Sequence, residues 1–197
     1  MECQPQRVVS ALNEGDTPLA ARAGRGDRQA FTALVRRHQD GVFRFLLRMT
    51  GSRDEAMDLT QDTFMKAWQA LPQWQPQAQF RTWLLQIARN GALDALRRKS
   101  VVAFEALDED AVIVDHGPTP EERLHTRQRF GQLEEALRRL VPEHREVLLL
   151  REVEGLSYAQ IAATLRIEEG TVKSRIARAR SALLAATRRA TGGIGDE

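Results

Sequence analysis

The run Leu156-Ser157-Tyr158-Ala159-Gln160-Ile161-Ala162-Ala163-Thr164-Leu165, then a short turn, then Gly170-Thr171-Val172-Lys173-Ser174-Arg175-Ile176-Ala177-Arg178-Ala179-Arg180 decides how this chain folds. Ser157 stands three residues before Gln160, the spacing of a capping box, and Ile161, Ala162 and Leu165 mark the buried face of the helix that follows. A second helix is expected to open near Glu168 and Glu169, whose charges suit a helix N-terminus. Along it Val172, Ile176, Ala179, Leu183 and Ala186 fall on one face, which must pack inward. With successive residues turned by about 100°, the opposite face carries Ser174, Ala177, Arg178 and Ser181, flanked by Lys173 and Arg175. Thr171 to Ala190 hold six basic residues and no acidic one, so this face is a cation directed at an anion. Small residues at 174 and 177 let such a helix sit deep in a major groove while longer neighbours reach phosphates and base edges. A basic amphipathic helix is more often a solvated surface helix. The capped helix before it, the four-residue turn and the small Ala162 at the crossing favour a DNA-gripping helix-turn-helix instead. Arg166 departs from the pattern by occupying the turn position where glycine is usual.

The 197 residues are 42% hydrophobic but only 6% aromatic, which allows one domain or two small ones and suits compact helical packing. Each half then has a modest core. The net charge of +2 conceals segregation, because Ser100 to Glu122 carry seven acidic and no basic side chains. Such blocks imply separate partners for separate segments. Cys3 is the only cysteine and His38, His116, His125 and His144 are scattered, so neither a disulfide framework nor a zinc-ligand spacing is available, and no metal or cofactor is expected. The N-terminus lacks a basic segment followed by an apolar run, and Val147 to Leu150 is far too short to span a bilayer. The expectation is a soluble, cytoplasmic protein with no membrane insertion.

Working outward, the pattern predicts an all-α chain of two small helical domains joined by a flexible linker. Residues 1–17 read as a flexible tail. Asp16-Thr17-Pro18 is a helix start with proline in the first turn. Gly24, Gly26 and Asp27 punctuate a second start, followed by Phe31, Leu34 and Val35 and, after Gly41, by Val42, Phe43, Phe45, Leu46 and Leu47. Gly51-Ser52 closes that run, and Ser52 stands in capping-box relation to Glu55. The next helix runs to Leu71 before Pro72, and a last one covers Phe80 to about Lys99, completing a first domain over 18–99. Residues 100–122, with Gly117-Pro118-Thr119-Pro120, read as an acidic linker. Helical spacing resumes at Leu124, Leu133, Leu137 and Leu140, and Pro142 starts another helix. The second domain spans 123–191, and 192–197 form a tail.

Within the first domain, Ala56, Leu59, Thr63, Phe64, Ala67, Trp68 and Leu71 form an inward stripe, leaving Asp54, Asp58, Gln61, Asp62 and Met65 together on the other side. Isolated aspartates usually mark a solvated face. Met65 among them favours a protein contact, since an apolar residue rimmed by polar ones resembles an interface. The segment from Pro72 to Phe80 is a neutral loop containing Trp74, Gln75, Gln77 and Gln79. Glutamine amides pair with the edges of unstacked bases and an aromatic ring offers a stacking platform, although Trp74 plugging the core is an equal reading. Arg89 and Asn90, then Arg97 and Arg98, extend a phosphate track along the following helix. No phosphate-binding glycine loop, paired His and carboxylate motif or placed cysteine nucleophile is present, so no enzymatic activity is expected.

Asp58-Leu59-Thr60-Gln61-Asp62-Thr63-Phe64, Phe80-Arg81-Thr82-Trp83-Leu84 and the Leu156-to-Arg175 stretch together resemble the bacterial RNA polymerase sigma factors of the extracytoplasmic function (ECF) subfamily, within the sigma-70 family. The three motifs stand in the family order and cover nearly residues 18 to 190. The resemblance implies a subunit that binds core RNA polymerase and directs it to promoter DNA. On it, Asp58, Gln61, Asp62 and Met65 dock on polymerase, and Trp74, Gln75, Gln77, Gln79, Arg89, Asn90, Arg97 and Arg98 take the minus-ten element. Thr171, Lys173, Ser174, Arg175, Ala177 and Arg178 read the minus-thirty-five element, and the acidic linker resembles the segment that threads toward the RNA exit path. An anti-sigma factor is an expected partner. The loop composition and Ala177 depart from better-known members, which leaves the promoter sequence open. A stand-alone helix-turn-helix regulator is the main alternative, and a helical adaptor that touches no DNA is a second.

Overall fold

The computed structural model describes residues 15–76, 79–102 and 131–191. Readings for the N-terminal tail up to residue 14, Gln77, linker residues 103–122, the start of the second domain at 123–130 with Leu124, and the tail 192–197 lie outside the described residues. The regular structure among the described residues is helical. The chain divides into two compact units, residues 1–46 with 54–94, and residues 47–53 with 95–197. The linker-based boundaries above place 47–53 and 95–99 in the first domain instead.

In the first unit, α1 spans Asp16–Ala23, the helix start read at Asp16-Thr17-Pro18, so its first two residues fall within the segment read as a tail. Pro18 sits in its first turn, where a missing N–H costs nothing. The carboxylate of Asp16 does not cap this helix; it points inward and is 2% exposed. Helix α2, Arg28–Thr50, is started by Asp27, whose Oδ1 accepts from the N–H groups of Gln29 and Ala30 at 3.0 Å each. This is N-capping, worth about 1 kcal/mol. Gly41 does not interrupt it, because the packing of Val42, Phe45 and Leu46 outweighs the local cost of one glycine. Helix α3, Arg53–Ala70, buries Ala56, Leu59, Thr63, Phe64 and Ala67, the expected stripe, and Trp68 is half-buried against Phe31 with ring centroids 4.9 Å apart. A 3-10 turn, Leu71–Gln73, follows, and then α4, Phe80–Val102. Pro72 cannot continue an α-helix interior, and the tighter turn is the consequence.

In the second unit, residues 131–138 form a helix, α5, followed by α6, Pro142–Leu148, which opens on its proline. Arg145 is buried, and its guanidinium collects carbonyls at the end of α5: Leu137 at 2.9 Å, Arg138 at 2.5 Å and Leu140 at 3.1 Å. A helix end leaves carbonyls such as those of Arg138 and Leu140 in need of a donor from outside the helix, while the Leu137 carbonyl also accepts from the Leu140 N–H at 3.1 Å. Helix α6 runs into a π turn, Leu149–Val153, and Gly155 then takes φ 66°, a conformation that glycine adopts without strain. Helix α7, Tyr158–Leu165, carries the expected capping box in full: Ser157 Oγ accepts from Gln160 N–H, and Gln160 Oε1 accepts from Ser157 N–H at 2.8 Å. Helix α8, Glu169–Thr191, completes the unit. Ile161, Leu165, Val172, Ile176 and Ala179 are buried with Val147 and Leu150. Each large aliphatic side chain buried here contributes about 1.5–3 kcal/mol.

Candidate nucleic-acid and partner interfaces

The turn between α7 and α8 holds three residues, Arg166 to Glu168, one fewer than the spacing suggested. Arg166 takes φ 55° and ψ 48°, the left-handed conformation anticipated for a glycine position. Its N–H and that of Ile167 both reach the Ala162 carbonyl, which turns the chain sharply enough for α8 to cross α7. The strain at a non-glycine residue, about 1–3 kcal/mol, is borne by this packing.

On α8, Thr171, Lys173, Ser174, Ala177 and Arg178 are exposed on one surface. The Ser174 hydroxyl donates to the Thr171 carbonyl at 3.0 Å, leaving oxygen lone pairs facing outward. Lys173 lies 4.0 Å from Glu169, an exposed pair that holds little energy. Arg175 differs from the others. It is only 26% exposed, and its Nη1 is 3.6 Å from the carboxylate of Glu146, which is fully buried on α6. Arg180 likewise turns back, donating to Glu152 at 2.6 Å. The basic count in the sequence therefore overstates the outward charge of the helix. The inward face also ends sooner than the periodicity suggested: Leu183 and Ala186 are half-buried and Leu184 is 55% exposed.

On α3, Asp54, Asp58, Gln61, Asp62 and Met65 are all exposed, Met65 by 59%. Met57, exposed by 45%, extends the same arc. The sequence reading assigns it to neither face of the helix.

Trp74 is half-buried, its ring set edge-on to Phe80 at 6.0 Å and tilted against Trp83 at 6.1 Å. It leans on the core while part of its surface stays exposed. Gln75 and Gln79 are exposed beside it. Gln79 does more than line the loop, because its carbonyl accepts from Trp83 N–H at 3.1 Å and so starts α4. Arg89 is half-buried and donates to the Asn90 side-chain oxygen at 3.2 Å, while Asn90, Arg97 and Arg98 are exposed further along. No cluster of three metal-ligating side chains occurs among the described residues. No helix of the described residues is long and apolar enough to cross a membrane.

A helical unit followed by a helix-turn-helix unit defines the class of a DNA-binding protein. Sequence comparison is specific on the class: residues 34–101 match Sigma-70 region 2, and residues 130–183 match Sigma-70, region 4. The chain is 41% identical over 162 residues to the ECF RNA polymerase sigma factor SigE of Mycolicibacterium smegmatis, covering 80% of this chain but 63% of that longer protein. It is 35% identical over 178 residues to the RNA polymerase sigma-H factor of Pseudomonas aeruginosa, covering 86% of this chain and 92% of that one. Among solved structures, the sigma factor RpoE of Bartonella quintana, in complex with the anti-sigma factor NepR, superposes with a TM-score of 0.67 at 25% identity, covering 80% of this chain and 96% of that one. The chain belongs to the ECF RNA polymerase sigma factors, the initiation subunits that bind core polymerase and direct it to promoters.

Proposed function

We propose that the two units divide promoter recognition as the sequence motifs suggest, with three surfaces in distinct roles. The arc of Asp58, Gln61, Asp62 and Met65, widened by Met57, docks on core polymerase. The loop of Trp74, Gln75, Gln77 and Gln79, with Arg89, Asn90, Arg97 and Arg98, takes the opened minus-ten element. The outward surface of α8 reads the minus-thirty-five duplex, with Arg178 and Ser174 central and Thr171, Lys173 and Ala177 around them. Supporting this division is the pairing of Arg175 and Arg180 with protein carboxylates, which leaves Arg178 as the arginine exposed at the centre of that surface.

Ser174, with its proton directed to Thr171, is suited to accept from an exocyclic amine such as that of cytosine or adenine. Arg175 is assigned primarily to holding α8 on α6 through Glu146, and only secondarily to phosphate contact. The protein works in the cytoplasm alongside polymerase and supplies no catalytic group of its own. An anti-sigma factor is its natural inhibitor, a reading supported by the partner in the similar RpoE complex. The test is transcription in vitro with core polymerase on a pool of promoter sequences. Initiation that depends on this chain, and is lost when either promoter element is scrambled, is the expected result. A stand-alone regulator instead binds duplex equally well with or without core.

A further inference from the structure

The loop carrying Trp74 is fixed at both ends by residues outside it, and both fixings lead back to α1. At its leading end, α1 packs against the turn Leu71–Gln73. Gly24, just after α1, approaches so closely that a Cβ there would lie 3.0 Å from the Leu71 carbonyl oxygen and 3.3 Å from that of Ala20. Both are backbone atoms, one in the turn and one on α1, so a larger residue must shift them by a few tenths of an ångström. At the trailing end, Phe80 is 1% exposed and meets the His38 ring with centroids 5.5 Å apart. Phe80 in turn carries Trp74 at 6.0 Å and Trp83 at 5.6 Å. His38 Nε2 lies 2.7 Å from Asp16 Oδ2, and Arg37 donates to Asp16 Oδ1 at 2.5 Å.

A buried carboxylate is costly to desolvate, and an apolar side chain would hold α1 against α2 without that cost. What the Asp16 contacts add is direction: they fix the orientation of the ring on which the loop's aromatic support rests. We propose that α1 is a positioning element for the minus-ten loop, with Asp16, His38 and Gly24 setting where Trp74 presents its exposed surface. This rests on the loop taking the opened strand, as proposed above. The three residues touch no DNA and act through Phe80 and the Leu71–Gln73 turn.

The test uses the full chain assembled with core polymerase. It is titrated with a fluorescein-labelled non-template oligonucleotide, from a promoter that the wild-type holoenzyme selects out of a random pool, and with versions substituted at each minus-ten base. The readout is the ratio of affinities for preferred and substituted bases, because partial unfolding lowers every affinity equally and leaves the ratio alone. Gly24→Val and His38→Ala should shrink the ratio by about threefold to tenfold, since an ångström of misplacement costs up to about 10²-fold. Affinities for core and for upstream duplex should hold, and His38→Gln, which keeps an N–H for Asp16, should restore most of the ratio. If Trp74→Ala collapses the ratio while Gly24→Val and His38→Ala leave it at the wild-type value, the proposal fails and the loop reading stands. If Trp74→Ala also leaves it unchanged, the loop reading fails and takes this proposal with it. Should the Gly24 variant not fold, iodide quenching of a chain retaining only Trp74 (Trp68→Phe, Trp83→Phe) gives a second measure. His38→Ala must change that quenching, and an unchanged value overturns the proposal.

Discussion

Arg166 stands where the backbone is left-handed, and a single substitution measures what that costs. Arg166→Gly should raise the unfolding free energy of the helix-turn-helix unit by up to about 1 kcal/mol, the relief being partly offset by glycine's greater freedom in the unfolded chain. Urea denaturation checks it, and a destabilised glycine variant would mean that the arginine side chain makes a contribution larger than the strain. Asp16 offers a pH test. Burial pushes its carboxyl up, but the hydrogen bond and charge of His38 and those of Arg37 outweigh burial and hold it below the ordinary range. A depressed folded-state value means that its contribution is fully present above the unfolded aspartate value, about 3.9, and is lost as pH falls through the lower folded value. Asp16→Asn should therefore be less stable than wild type at pH 7, with the gap closing below about pH 4. A gap that persists on acidification would show that shape, not charge, sets the effect. On α8, Arg178→Ala should cost about 1–3 kcal/mol on the preferred duplex and relax its sequence preference. Arg175→Ala should lower stability by about 1–3 kcal/mol by stripping a partner from buried Glu146. Duplex titrations across a salt series separate the two, and a uniform loss on all sequences for Arg178→Ala would reduce it to a phosphate contact.

At the scale of elements, the exposed arc of α3 is the surface most open to a direct challenge. Asp58→Arg with Asp62→Arg should weaken binding to core polymerase at least about tenfold while leaving helical content unchanged, because both side chains are exposed and reversing charge across an interface costs several kcal/mol. A titration against core with unaltered affinity would remove this face from the docking surface. Much of this architecture was legible in the sequence because its signals are local. The Ser157–Gln160 box, the stripe of α3 and the Arg166 anomaly each depend on residues within a turn or two of one another, and the structure shows all three. What stayed hidden depends on contacts between distant elements. Asp16 does start α1 as read, but the inward role of its carboxylate shows only once Arg37 and His38 are brought to it. Arg175 looks like an outward cation until Glu146 is seen behind it, and the π turn at Leu149–Val153 has no period to announce it. Met57 is a second exposed apolar residue on α3 that the sequence reading leaves unassigned.

For the molecule as a whole, the proposed division into 18–99 and 123–191 predicts that limited proteolysis cuts first between 100 and 122 and leaves two fragments that retain helical circular dichroism. Cuts scattered through both halves would contradict it. The account's central claim is that initiation needs both units acting together on core polymerase, one on the opened strand and one on the duplex. Open-complex formation, followed by permanganate footprinting of unpaired thymines on a selected promoter, tests that most directly. Core with the full chain should open the minus-ten region. Trp74→Ala should abolish opening while keeping the upstream duplex bound, and Arg178→Ala should reduce occupancy while the complexes that form still open. Opening that survives Trp74→Ala undiminished, or that occurs with core alone, would contradict the account.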